Sequence, residues 1–210
     1  TFAPSSFLTM GDYRAVVAGT PNVEAHAADF TSVGNFAYES RTSQVQVSGV
    51  TPSFSRVRNW RAISGRFIEE LDNSGRARVV VLGQTVVNDL FPEEDPLGKQ
   101  VKINGLPFRV IGVMESKGSS FLGDQDAIAF VPLSTAQERL FQRQAQARTG
   151  ERVLSTIYLQ ATSDAARPQI EATARDILRE RHRLGPDDAD DFSIISQTEL
   201  LNTFGAVTSV

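Results

Sequence analysis

The chain has 210 residues, 40% of them hydrophobic, and its 21 Lys and Arg against 25 Asp and Glu give a formal net charge of −4. This length and apolar content suffice for one large domain or two small ones. The mild negative charge argues against a nucleic-acid-binding domain, and the lack of cysteine excludes disulfide scaffolds, thiol nucleophiles and cysteine metal sites. No stretch approaches the roughly 20 apolar residues needed to cross a bilayer. Because it starts at Thr1 without Met, the chain reads as a piece of a longer protein.

The first predicted unit is a helix followed by extended chain. Thr9 and Asp12 are spaced as a capping box, and Gly19, followed by a proline, is a stop signal. After the turn, residues 23–33 are predicted to be a strand, and a second extended segment starts at Phe36.

The middle of the chain is rich in predicted strands. Apolar alternation or continuous apolar runs predict strands over residues 45–50, 77–82, 100–103, 108–113 and 127–131. Asn104-Gly105 between two of them is a strong hairpin signal. Short helices are predicted over residues 84–91 and from a Ser134…Gln137 capping box to about Ala147.

A second helix-and-strand unit is predicted late in the chain. Residues 152–162 alternate partly as a strand, and Ser163 or Asp164 is predicted to cap a helix to about Arg183. An acidic turn over residues 187–191, interpreted as solvated, then leads to a short predicted strand over residues 192–195.

This order predicts an α+β fold with two subdomains. Residues 1–35 and 152–210 would form one mixed α/β subdomain from both chain ends, and residues 36–151 would form an inserted, strand-rich subdomain. Ends that share a subdomain lie close together, which suits insertion between two consecutive membrane spans.

Catalytic and cofactor motifs are largely missing from the sequence. The two histidines, His26 and His182, are far apart and lack a second ligand at metal spacing. A phosphate loop ending at Lys99 is excluded because the required glycine is replaced by Glu93 and no Ser or Thr follows the lysine. We therefore expect neither an active site nor a cofactor in this chain.

The loop after residue 116 is the candidate interaction site. Small residues surround two large apolar ones, so burial of Phe121 and Leu122 in the fold and their exposure to a partner are both open. The carboxylates that follow, Asp124 and Asp126, favour a solvated loop over a calcium site because the rest of an EF-hand loop is missing. The candidate partner-binding residues are Ser119, Ser120, Phe121, Leu122, Asp124 and Asp126.

Several motifs in the same order resemble the extracytoplasmic domain of MacB-type ABC permeases. They are residues 49–60, with Trp60, then 65–67, 77–83, 91–99, 107–113, 119–126 and 131–137. The resemblance covers about residues 8–201.

The resemblance implies the two-subdomain layout, with a porter-like subdomain from both ends and an inserted sabre-like one. It also implies an extracytoplasmic module of an integral protein of the inner membrane that transmits ATP-driven movement and docks a partner. ATP and Mg²⁺ would bind a separate nucleotide-binding domain. Implied partners are the protein's own transmembrane helices, a second permease subunit, a MacA-like membrane fusion protein and an outer-membrane channel. Residues 199–204 would begin the helix into the next span.

Two other readings stay open. A stand-alone extracytoplasmic ligand-binding or sensor domain would use a cleft between the subdomains. A hydrolase built on Asp and Glu pairs is weaker, because these spacings define no paired catalytic geometry.

Overall fold

The computed structural model describes residues 8–120 and 123–196. Its strands are β1 (Leu8–Thr9), β2 (Val23–Tyr38), β3 (Arg41–Val50), β4 (Ala62–Gly65), β5 (Val79–Leu82), β6 (Gln100–Ile103), β7 (Leu106–Met114), β8 (Ser119–Ser120), β9 (Gly123–Asp124), β10 (Ile128–Pro132), β11 (Val153–Leu154) and β12 (Thr156–Ala161). The helices are α1 (Met10–Gly19), α2 (Phe54–Val57), α3 (Glu70–Ser74), α4 (Gln84–Leu90), α5 (Leu133–Thr135) and α6 (Arg167–Arg181). The predicted mixture of helices and strands is confirmed.

Six strands close into a ring. β2 pairs with β3, β3 with β10, β10 with β5, β5 with β7, β7 with β6, and β6 returns to β2. The β3–β10 and β5–β7 pairs are parallel, and the other four are antiparallel. The edges of these strands thus satisfy one another, as in a barrel. β12 extends the sheet beside β2, and β4 extends it beside β7.

Apolar side chains from the ring strands form the main core. Phe36, Val47, Leu82, Ile103 and Phe108 are all buried in it. A second cluster on the other side of the sheet contains Phe54, Trp60, Met114 and Phe130, where the Trp60 and Phe130 rings meet edge to face with centroids 5.3 Å apart. Trp60 is thus a packing residue of this second cluster.

The early and late parts of the described chain pack against each other, as predicted. Leu8 pairs with Leu154 between β1 and β11, and β12 runs antiparallel to the first half of β2. Val16 of α1 is buried against Leu178 of α6. The Asp12 carboxylate accepts a 2.6 Å hydrogen bond from Nε of Arg181, so the start of α1 is tied to the end of α6.

Two local predictions are confirmed because their signals lie within a few residues. Thr9 Oγ1 accepts from the Asp12 amide, and the Asp12 carboxylate accepts from the Thr9 amide, which forms the predicted capping box. The hairpin of β6 and β7 turns at Asn104 and Gly105, with φ values of 50° and 81°. Those left-handed values are what Asn-Gly accommodates in a tight hairpin turn.

The predicted strand over residues 192–195 is wrong. Two arginines of α6 hold Asp190, at 2.6 Å from Arg175 and 2.5 Å from Arg179, and Phe192 packs on His182. These contacts hold Asp190 and Phe192 against α6, and residues 192–195 pair with no strand of the described chain. They also show that the acidic turn is ion-paired on one side, and therefore not simply solvated.

The predicted capped helix from Ser134 to about Ala147 is also wrong. α5 is three residues long and is followed by one π-helical turn, Ala136–Leu140. Ser134 does not cap this helix, because its hydroxyl donates to the Asn73 carbonyl, and the Gln137 amide donates to the Val153 carbonyl at 2.7 Å. Long-range partners take the groups that a capping box would need.

The start of α6 differs from its prediction in a smaller way. A 3-10 turn over Asp164–Ala166 precedes the helix, whose N-cap is Ala166 and whose first turn contains Pro168. Neither Ser163 nor Asp164 caps α6.

The predicted subdomain boundary between residues 35 and 36 falls inside β2. The two extended segments predicted there are one strand of 16 residues. Residues 23–29 of β2 pair with β12, Phe36 and Ala37 pair with β6, and residues 29–38 pair with β3. The division into two subdomains stays a prediction. Within the described residues, no helix is long and apolar enough to span a membrane.

Candidate docking site

The candidate loop folds as a small hairpin. Ser119 pairs with Asp124, and Ser120 pairs with Gly123, to form the two-residue strands β8 and β9. Gly118 and Gly123 have φ values of 76° and 113°, which glycine adopts without strain. Phe121 and Leu122, the apolar candidates, lie outside the described residues. We call residues 116–126 the docking hairpin.

Asp126 is the anchor of the docking hairpin. Only 5% of the residue is exposed, and its carboxylate accepts from the Ser116 hydroxyl and from the amides of Lys117 at 2.8 Å and Gly118 at 3.1 Å. Burial alone would raise the pKa of Asp126, but these three hydrogen bonds outweigh it, so the pKa lies below its usual range. The carboxylate thus stays ionised and holds the entry strand of the hairpin.

Asp124 joins the docking hairpin to the start of α4. Its exposed carboxylate accepts from Thr85 Oγ1 at 2.6 Å and from the Asp126 amide at 2.8 Å. Gly83, just before α4, makes this approach possible because a Cβ there would collide with the Asp126 carbonyl. Gly83 and Thr85 are not among the residues predicted for the site, and their sequence signal is no more than a glycine between a buried strand and a helix.

A second connection runs to the turn before β4. Trp60 Nε1 donates to the Glu115 carbonyl at 2.8 Å, and the Lys117 ammonium donates to the Asn59 carbonyl at 3.0 Å. Lys117 also lies 3.5 Å from the Glu115 carboxylate. Polar residues at the base of the docking hairpin therefore connect it to the aromatic cluster that contains Trp60.

The geometry of the two carboxylates is that of loop anchors. Asp124 and Asp126 both face N–H and O–H donors, whereas a cation would need those oxygens free. Among the residues described, no group of three or more His, Asp or Glu side chains is arranged to hold a metal ion. Of the candidates, the structure brings Ser119, Ser120, Asp124 and Asp126 together, and Asp126 is buried, contrary to the solvated interpretation.

The two histidines sit far from the docking hairpin, in separate polar contacts. Nδ1 of His26 lies 2.6 Å from the Tyr13 hydroxyl, on the β2 side of α1. His182 lies between the carboxylates of Asp12 and Asp191. The His26 ring therefore joins α1 to β2, whereas the His182 ring lies between the early and late parts of the chain.

With this geometry in place, comparison with known proteins gives the family. The sequence profile described as MacB-like periplasmic core domain matches residues 2–177. The chain belongs to this family. The match confirms the resemblance seen in the sequence, and the family's location places the domain outside the cytoplasm.

Full-length relatives carry the same domain. The chain is 32% identical over 204 residues to the macrolide export ATP-binding/permease protein MacB of Marinobacter nauticus, and 34% identical over 203 residues to that of an Azoarcus species. These alignments cover 97% and 95% of this chain but only 29% and 28% of the relatives. The MacB-like domain thus spans less than a third of the relatives' length.

Solved structures share the fold. The periplasmic region of MacB from Actinobacillus actinomycetemcomitans aligns with a TM-score of 0.75 at 23% identity, covering 96% of this chain and 85% of that one. The extracellular domain of the noncanonic ABC-type transporter YknZ from Gram-positive bacteria aligns with a TM-score of 0.70 at 19% identity, covering 86% and 87%. At these identities the likeness concerns the fold of the MacB-like domain.

Proposed function

We propose that the chain is the extracytoplasmic domain of a MacB-type ABC exporter, and that it transmits ATP-driven movement and docks a periplasmic adaptor or cargo through its docking hairpin. The family match over residues 2–177 carries this proposal. Relatives named as macrolide export ATP-binding/permease proteins, 32% identical over nearly the whole chain, point to the same class of transporter.

In this proposed function, ATP hydrolysis takes place outside this chain. ATP and Mg²⁺ bind a separate nucleotide-binding domain, and this chain has no catalytic role. It works at the outer face of the inner membrane beside its own transmembrane helices and a second permease subunit. A MacA-like membrane fusion protein, and through it an outer-membrane channel, is the proposed periplasmic partner. The cargo is a macrolide, a peptide or a lipid-linked molecule.

The fold is mechanically suited to this role. A closed ring of six strands moves as a rigid body, because bending it would break ladder hydrogen bonds around the ring. The Asp12–Arg181 contact fixes α1 to α6, so a displacement applied to either helix moves both. The docking hairpin is held by Asp126 and Asp124, and its position therefore follows that of the ring.

A stand-alone ligand-binding or sensor domain is the alternative. The length of the relatives favours the permease, since the chain matches less than a third of each of the two proteins compared. Apolar spans of about 20 residues on both sides in the gene support the permease. Their absence would support the stand-alone domain.

The docking role is tested in the full-length transporter with the double variant Phe121→Ser/Leu122→Ser. We expect erythromycin resistance of an efflux-deficient host to fall to the level of the empty vector, and capture of the MacA-like adaptor to weaken about tenfold or more. ATPase activity of the purified transporter should persist. Asp126→Asn, which keeps Phe121 and Leu122 but weakens the anchor of the docking hairpin, should shift resistance and capture in the same direction.

The matched control is Leu71→Ser, which changes an apolar residue that is 83% exposed on α3. It should leave resistance and adaptor capture unchanged. If the double variant behaves like this control, the docking role is wrong. If it instead lowers the melting temperature of the 210-residue chain sharply, Phe121 and Leu122 are packing residues. Isothermal calorimetry of that chain with ATP should show no binding, and micromolar affinity would contradict the proposal.

A further inference from the structure

One histidine is held between two carboxylates from different parts of the chain. The His182 side chain is 7% exposed and follows the last turn of α6. Its Nε2 lies 3.4 Å from Oδ2 of Asp12 on α1, and its Nδ1 lies 2.7 Å from Oδ1 of Asp191. The Phe192 ring meets the imidazole edge to face, with centroids 5.8 Å apart.

The proton count of the ring decides which contacts can form. A neutral imidazole carries one N–H and one lone pair, whereas the imidazolium carries two N–H donors. Ionised Asp12 and Asp191 offer only acceptors to it. A neutral ring therefore donates to one carboxylate and turns its lone pair toward the other. Only the charged ring satisfies both.

The surrounding charges determine which contact is the weaker one. Arg181 Nε donates to the other oxygen of Asp12 at 2.6 Å and its guanidinium also lies 4.0 Å from Glu151. Oδ2 of Asp12 already accepts from the Thr9 amide and hydroxyl, both at 2.8 Å. The shorter contact to Asp191 thus keeps the remaining proton, and the contact to Asp12 is lost first.

Protonation and folding are linked at this ring. Burial alone would lower the pKa of His182, but the hydrogen bonds to Asp191 and Asp12 and their charges outweigh it and raise the pKa above its usual value. The stabilisation of the folded state by the charged His182 ring is therefore complete below the pKa of an unfolded histidine. It is lost as the pH rises through the higher pKa of the folded state.

We propose that His182 is a pH-sensitive clasp that bridges Asp12 of α1 and Asp191 when doubly protonated, and that it gives up the contact to Asp12, and so loosens the start of α1, when it loses one proton. The clasp lies where the early and late parts of the chain meet, and it is independent of the proposed transport role. The remaining histidine near α1 is His26, which touches Tyr13. Its contribution is separated from that of His182 by substituting each histidine in turn.

The test is amide hydrogen exchange of the 210-residue chain, combined with NMR titration of the two histidine rings. In the wild type, the amides of Thr9 and Asp12 should exchange about tenfold more slowly at about pH 5.5 than at about pH 8, after correction for intrinsic rates. In Asp191→Asn, a neutral His182 can donate to Asp12 while its other nitrogen accepts from the new amide. This variant should lose the pH dependence, and its His182 should titrate at lower pH.

Three controls keep the result specific. Asp187→Asn removes an exposed charge from the same acidic turn and should behave as wild type. His26→Gln should keep the pH dependence, while His182→Gln, which cannot titrate, should abolish it. A wild type whose Thr9 and Asp12 amides exchange equally at both pH values overturns the clasp. Unchanged pH dependence in Asp191→Asn overturns it as well.

Discussion

Two buried aspartates show how local donors decide the cost of a buried charge. Asp126 accepts three hydrogen bonds, whereas Asp29 on β2 accepts from the Tyr158 hydroxyl at 2.9 Å and its buried Oδ1 makes no hydrogen bond within the described residues. Burial raises the pKa of Asp29, and its hydrogen bonds only partly offset that effect. Burial and the neighbouring Asp29 charge likewise raise the pKa of Tyr158 to about 12. The ionised Asp126 carboxylate therefore stabilises its loop, whereas the ionised Asp29 carboxylate destabilises the folded state.

This contrast predicts opposite effects of the same substitution. Because the folded pKa of Asp29 is raised, the native state holds a proton that the unfolded chain has lost, and stability falls as the pH rises through that window. Asp29→Asn should therefore raise the melting temperature at pH 7, by about 2–4 °C per kcal/mol gained, and the gain should shrink toward pH 4.

Asp126→Asn is the matched control for Asp29→Asn. The folded pKa of Asp126 is lowered, so its contribution is present above the unfolded value and is lost as the pH falls through the folded one. This variant should lower the melting temperature at pH 7. Differential scanning calorimetry of both variants at both pH values is the measurement. A lower melting temperature of Asp29→Asn at pH 7 would show that the Asp29 charge is well compensated.

At the scale of elements, the packing of α6 on α1 depends on a small cluster. Val16, Ala174 and Leu178 are its buried members, and Gly19 lets the Ile177 side chain approach because a Cβ there would crowd it. Because this cluster has three buried side chains within the described residues, each of them carries a large share of the packing between the two helices. The sheet contributes separately, through the pairing of β12 with β2.

Leu178→Ala tests this interface directly. Leu178 is 6% exposed, so its truncation should lower the free energy of unfolding by about 2–5 kcal/mol through lost burial and a cavity. Leu71→Ala, at 83% exposure, is the matched control and should stay within about 0.5 kcal/mol of wild type. Urea titration followed by circular dichroism gives both values. Equal, small effects would mean that α6 is held by the sheet alone.

Elements with local signals could be predicted from the sequence, and elements fixed by distant partners could not. The capping box of α1 needs only Thr9 and Asp12, and the β6–β7 turn needs only Asn104-Gly105. The helix predicted at Ser134 fails because its capping groups bond to Asn73 and Val153, which are distant in sequence. Such competition has no local pattern.

The candidate site divides in the same way. Its small residues predicted a loop, and the loop exists as the docking hairpin. The anchoring role of Asp126 could not be predicted, because it depends on Ser116 and two backbone amides that meet the carboxylate only when the hairpin has closed. The need for glycine at residue 83, where a Cβ would collide with the Asp126 carbonyl, likewise depends on how β5 and β10 are paired.

At the scale of the molecule, the ring of strands and its cores connect the two parts that were predicted from the sequence to be separate subdomains. The main core contains Phe30 and Leu154 from the predicted porter-like part together with Phe36 and Phe108 from the predicted sabre-like part. β2 belongs to both parts and is paired along nearly its whole length. Ring closure pairs β2 with β6, some 65 residues away, which no periodicity in the sequence indicates.

This shared core predicts that the two subdomains unfold together. Calorimetry of the 210-residue chain should give one transition with a calorimetric to van't Hoff enthalpy ratio of about one. Trp60, the only tryptophan, reports on the predicted sabre-like part, and far-UV circular dichroism reports mainly on α1 and α6 in the other. Their melting curves should coincide. Val47→Ala in β3 and Leu178→Ala in α6 should each shift both curves together, because burial in either part supports the same cooperative unit. Two separate transitions, with only one displaced by each substitution, would show instead that the chain ends form a unit that folds independently of the ring.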